Sequence, residues 1–148
     1  MKRFEFRLER VVAWRAEQLD VEESRLHQLQ AELRNLEAQR AALESEEAAS
    51  ARALVTARAL PAEDLHREDL FRRYAARQRE LIAGQRAATE RNINEQRARV
   101  LEARKKVELL KRLRAKRLAA WTADIDRELE QQAAEAHRLL TRSARADF

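Results

Sequence analysis

Residues 8–43 read LERVVAWRAEQLDVEESRLHQLQAELRNLEAQRAAL, and this stretch decides the fold. Taken in alternating steps of four and three it yields Leu8, Val12, Arg15, Leu19, Glu22, Leu26, Leu29, Leu33, Leu36, Arg40 and Leu43. A mean period of about 3.5 is an a/d seam rather than a broad amphipathic face. Between these positions lie Glu, Gln, Arg and Ala, all strong helix formers. A stripe this narrow buries itself only against a partner helix, so the rest of the chain is read as a search for that partner.

Composition supports long helices. The chain of 148 residues is 39% charged and holds one Gly and one Pro, which leaves almost nothing to build turns. Its apolar residues fall in lines rather than blocks, so no thick core is expected, and the sustained period argues against disorder. The absence of Cys excludes disulfide and thiolate chemistry. No apolar run reaches the roughly 18 residues of a membrane span. The basic start Met1-Lys2-Arg3 runs directly into charged sequence without an apolar h-region, so no signal peptide is expected and a cytoplasmic location follows.

The first helix is expected from about 4 to 58, a turn at about 59–62 and a second helix from about 63 to 140. Pro61 is the reason for the break, because it costs a helix a backbone bond in its interior but suits its first turn. Glu63 and Asp64 then lie where the helix dipole favours negative charge. The second seam reads Phe71, Ala75, Gln78, Ile82, Arg86, Thr89, Ile93, Gln96, Val100, Ala103, Val107 and Leu110. It then slips through Arg114 and Leu118 to Trp121 and Ile125, as a stutter does. Gly84 is a soft point costing about 1 kcal/mol relative to Ala. A short turn makes the helices antiparallel neighbours. Folding about Pro61 sets Leu43 near Leu81 and Ile82 and Leu8 near Arg114, and leaves the C-terminal end of the second helix as an overhang. The expected fold is therefore all-α, one antiparallel coiled-coil hairpin with a C-terminal helical extension.

With Gly84 as the only glycine there is no phosphate loop, and His27, His66 and His137 are isolated from further ligands. No enzyme activity, cofactor or metal is expected. Charge is more informative. Residues 1–60 carry a net −1 and residues 61–148 a net +6. The excess lies in Arg97–Arg117, which holds Lys105, Lys106, Lys111, Arg112, Arg114, Lys116 and Arg117 and nets +8 over 21 residues. Such a run is either a solvated face, partly balanced by Glu17, Asp20, Glu22 and Glu23, or a surface for an acidic protein partner. A nucleic-acid backbone is the weaker reading of the same run, because aromatic residues for base stacking are missing from it. Phe4, Phe6 and Trp121 are expected to meet at the open end of the hairpin. Phe71 and Tyr74 lie near the turn, Phe71 in the seam and Tyr74 as an exposed contact.

The opening Phe4-Glu-Phe6-Arg-Leu8-Glu9-Arg-Val-Val12-Ala-Trp-Arg15 resembles the start of the flagellar export protein FliJ family. The stretch Lys105-Lys-Val107-Glu108-Leu-Leu110-Lys-Arg-Leu113-Arg-Ala-Lys116-Arg117 resembles that family's second block. The family often carries Asp-Glu-Ala near its C-terminus, where this chain has Ala134-Glu135-Ala136. The resemblance implies a non-enzymatic stalk of bacterial flagellum biogenesis and motility. Such a stalk enters the hexameric ring of the flagellar type III export ATPase and regulates it, and it also contacts the export gate and export chaperones. It implies that Phe4, Phe6, Leu8, Trp121, Ile125 and the basic residues Lys105 to Arg117 face the ring, and that Phe71 and Tyr74 face the gate. Membrane association would then be peripheral, at the inner membrane and only through partners. The alternatives are the equivalent stalk of a virulence-type injectisome and a generic dimeric coiled-coil scaffold.

Overall fold

The computed structural model describes residues 3–146. Its described residues form two helices and no strand: α1, Glu9–Thr56, and α2, Ala62–Ala146, folded into an antiparallel hairpin. The chain divides into two compact units. One is Leu19–Glu102, which contains the turn, and the other joins Met1–Gln18 to Ala103–Phe148 at the open end.

In the turn unit the expected seams are buried or half-buried except at Arg40, which is exposed and pairs with Glu44 on its own helix at 3.0 Å. On α2, Ala75, Ile82, Thr89, Ile93, Gln96 and Val100 are buried, and Phe71, Gln78 and Arg86 are half-buried. Facing them on α1, Leu43 is buried and Leu19, Leu26, Leu29, Leu33 and Leu36 are half-buried. Leu43, Ala75 and Ile82 form one cluster, in the register expected for a fold about Pro61. Where the α1 seam weakens, polar contacts take over. Arg79 pairs with Glu47 at 2.9 Å, and the Ser50 hydroxyl donates to the Glu68 carboxylate. Gln96, only 2% exposed, donates from Nε2 to the Glu22 carbonyl at 2.9 Å and to its carboxylate. A buried amide satisfied this way resists any slip of register, because slippage would strand it without a partner.

The turn itself spans residues 57–61, starting two residues and ending one residue earlier than expected. The Thr56 hydroxyl donates to the Arg52 and Ala53 carbonyls at 3.0 and 3.2 Å, and the Ala57 amide donates to Ala53 at 3.2 Å. These bonds use up carbonyls that the end of a helix leaves without partners. Pro61 sits immediately before α2, where its carbonyl accepts from the Asp64 and Leu65 amides at 3.1 and 3.3 Å. Glu63 and Asp64 occupy the first turn, as expected from the dipole. Gly84 lies inside uninterrupted α2, and a Cβ built there would touch nothing within 4 Å.

In the open-end unit, Val12 and Arg15 of α1 face Ala103, Val107, Leu110 and Arg114 of α2, with Val107 buried. One expectation is corrected here. Helix one starts at Glu9, not at Phe4: residues 3–6 are non-helical and Arg7 and Leu8 form a turn. The Glu9 amide donates to the Phe6 carbonyl at 3.1 Å and the Val12 amide to Leu8 at 2.9 Å. Residues 1–8 hold no Ser, Thr, Asp or Asn to cap an earlier start, whereas Glu9 at the first helical position suits the dipole. Phe4-Glu5-Phe6-Arg7-Leu8 also alternates apolar and charged residues with a period of two, which suits an extended segment better than a helix. Beyond Leu110 the half-buried positions are Arg114, Trp121 and Ile125, in the slipped phase expected from the sequence, but Leu118, expected in the same line, is exposed. From 126 to 145 every position is exposed, and α2 continues to Ala146, beyond the expected end near 140.

A seam one side chain wide makes adjacent residues very unequal. Ile82→Ala is expected to cost about 2–4 kcal/mol of unfolding free energy in urea melts. Leu81→Ala, at an exposed position next to it, is expected to stay within about 0.5 kcal/mol of the parent. Equal losses at the two positions would contradict the seam.

Candidate partner-binding site

The open-end unit gathers most of the residues singled out in the sequence. Because residues 3–8 leave the helical path, Phe4 reaches across to α2, and its ring lies 5.8 Å from that of Trp121 at an interplanar angle of 55°. Such tilted pairs contribute about 0.5–1.5 kcal/mol beyond the area they bury. Phe4 and Trp121 therefore cover each other and are both half-buried. Phe6 is half-buried beside them, and Leu8 remains partly exposed. With Leu113 these four line an open cleft of about 710 Å³. Its rim carries Arg3, Arg7 and Arg117 against a single carboxylate, Glu5. Ile125 lies one turn beyond Trp121 and does not line the cleft.

The basic run does not act as one uniform patch. Arg114 is half-buried in the seam and donates to Glu9 at 2.9 Å. Arg112 donates to Glu108 one turn back on its own helix at 3.4 Å. Lys105, Lys106, Lys111, Lys116 and Arg117 are exposed. Of the acids expected to balance the run, Glu22 is engaged by Gln96. Exposed ion pairs of this kind contribute about 0–1 kcal/mol, so the run stays a strongly positive surface.

The two residues that the resemblance assigns to the gate differ in burial. In the turn unit Phe71 is half-buried on the seam, while Tyr74 is 55% exposed. Three residues apart, they fall on either side of the seam's edge, leaving Tyr74 alone as an outward contact. His27, His66 and His137 are exposed, and no group of three or more His, Cys, Asp or Glu among the described residues could hold a metal ion.

Sequence reasoning missed four residues of this unit. Val11, Trp14, Leu109 and Leu113 are large, apolar and exposed, Trp14 by 50% and Leu109 by 64%. The Arg15 guanidinium sits 4.6 Å from the Trp14 ring centroid, a cation–π contact that covers part of it. The signal was present: Val11 and Trp14 repeat the seam's spacing one residue ahead of Val12 and Arg15.

Phe4→Ala is expected to release Trp121 into water and shift its fluorescence to longer wavelength. The cost in stability is about 1–3 kcal/mol, the ring pair and the lost apolar burial together, with far-ultraviolet circular dichroism unchanged. An unaltered spectrum would contradict the contact. No family model matches the chain, and no curated protein or solved structure is significantly similar to it.

Proposed function

We propose that this protein is a non-enzymatic stalk of the FliJ type, which regulates a flagellar type III export ATPase and also contacts the export gate and export chaperones. The observation that carries the reading is the open end of the hairpin. There α2 runs past its partner, residues 126–145 stay exposed on every side, and an aromatic N-terminal segment is packed against Trp121. A helix with no internal partner along 20 positions has its apolar side chains available to another protein. The resemblance of Phe4–Arg15 and Lys105–Arg117 to the FliJ blocks supplies the family.

In this reading Trp121, Ile125 and the exposed lysines meet an acidic ring surface, with Phe4 and Phe6 holding the open end in shape. Tyr74 is the candidate contact for the gate. No described helix is long and apolar enough to cross a membrane, so attachment to the inner membrane would pass through partners. The equivalent stalk of an injectisome would use the same surfaces. A dimeric scaffold is favoured by one specific observation: Leu129, Leu139 and Leu140 are exposed on the unpartnered part of α2, as they would be if a second copy covered them.

The test is ATP hydrolysis by the export ATPase of the same source, with and without this protein, at moderate salt. The expected result is a several-fold rise that is lost when residues 118–148 are removed. No rise, together with a stable dimer by light scattering, would overturn the stalk and leave the scaffold.

A further inference from the structure

The two sides of the open-end hairpin differ in chemistry. Successive residues on a helix step by about 100°, so in an antiparallel pair the positions just before each seam residue share one side. Val11 and Trp14 precede Val12 and Arg15 on α1, and Leu109 and Leu113 precede Leu110 and Arg114 on α2. The clefts follow this division. Leu113 and Arg117 line the cleft beneath Phe6, whereas Glu9, Lys111 and Ala115, each just after a seam position, line a separate one. Val11, Trp14, Leu109 and Leu113 therefore form one apolar strip that continues into the cleft beside Trp121. From Leu109 to Trp121 it spans 12 residue steps of α2, about 18 Å at the helical rise.

The strip is flanked by positive charge. Arg7, Lys106 and Arg117 occupy the same pre-seam positions, are exposed, and make no ion pair among the described residues. We infer that this strip is a docking groove for an amphipathic helix of a partner protein, with apolar anchors on one face and Asp or Glu along its flanks. The length accommodates about three helical turns, enough for anchors at i, i+4, i+7 and i+11. The unpaired cations select the sign of the occupant: an acidic helix gains contacts with Arg7, Lys106 and Arg117, while a basic one meets like charge. A strip one or two side chains wide, running into a cleft, fits a helix better than it fits a lipid surface. The inference deepens the proposed role of the open end by giving the chemistry of its partner, and it does not depend on which protein that partner is.

The test uses the full chain and a Trp-free, fluorescein-labelled peptide of about eighteen residues, long enough to hold helix. It carries Leu at i, i+4, i+7 and i+11 and Glu on the flanks, and a counterpart carries Lys in place of every Glu. Trp14 and Trp121, the only tryptophans, report directly from the groove. The expected result is saturable binding of the acidic peptide with a change in tryptophan emission. That binding weakens about tenfold in Leu109→Glu and several-fold in Arg117→Glu, and it is absent for the Lys peptide. Leu109 is exposed, so its variant is expected to fold, and Arg117→Glu reads the groove independently. Equal binding of both peptides, no saturable binding, or indifference to both substitutions would overturn the groove. So would a dimer of the parent protein that Leu109→Glu abolishes, or vesicles of phosphatidylserine and phosphatidylcholine that displace the acidic peptide. ATPase stimulation by a Leu109→Glu variant that binds no peptide would remove the groove and keep the stalk. Peptide binding without any ATPase response would do the reverse.

Discussion

Burial along the interhelical seam is unequal, and the rest of the structure follows from that inequality. The α2 side presents Ala75, Ile82, Ile93, Val100 and Val107, all buried, while the α1 side presents leucines that are mostly half-exposed. Short and β-branched side chains on α2 are buried, whereas the longer leucines facing them keep part of their surface at the edge of the contact. Two helices alone cannot enclose more than this, because each leaves most of its circumference to water. The hairpin therefore has a line of contact instead of a core, and every side chain off that line is solvated or available to a partner.

Polar residues within the seam are consistent with so thin a contact. Gln96 is buried but bonded to Glu22, and Arg114 lies half in the seam with Glu9 as its partner. No described buried side-chain nitrogen or oxygen is left without a partner. Such groups add little net stability, but they penalise the wrong register, which a repeating leucine line alone would tolerate. The same logic sorts the basic run. Arg112 and Arg114 are engaged within the chain, and Lys106 and Arg117 are left outward, beside the exposed Leu109 and Leu113. Charge and apolar surface thus coincide at the open end, and that coincidence supports reading it as a binding surface for an acidic protein.

Much of the fold was legible because a period of about 3.5 depends on only one kind of spacing. All twelve seam positions from Phe71 to Leu110 are buried or half-buried, including Gln78, Arg86 and Gln96, whose chemistry would not have nominated them. The N-terminus was misread because helix-forming residues dominate the start of the chain and hide the two-residue alternation from Phe4 to Leu8. A tertiary contact, Phe4 against Trp121, favours the non-helical path. The strip through Val11, Trp14, Leu109 and Leu113 was missed for a different reason. Its members lie about a hundred residues apart in sequence, and only the antiparallel pairing brings their sides together. Phe71 and Tyr74 part as their positions along the seam led one to expect, Phe71 half-buried on it and Tyr74 exposed beside it.

The intramolecular antiparallel register underlies all of this, and the absence of native cysteine makes it directly measurable. Spin labels on cysteines introduced as Glu37→Cys and Arg86→Cys replace side chains that meet at 3.5 Å across the turn unit. Double electron–electron resonance should give one short, narrow distance that persists when labelled protein is diluted into a large excess of unlabelled protein. A distance that broadens or vanishes on dilution would show that the helices pair between molecules, and would contradict the hairpin.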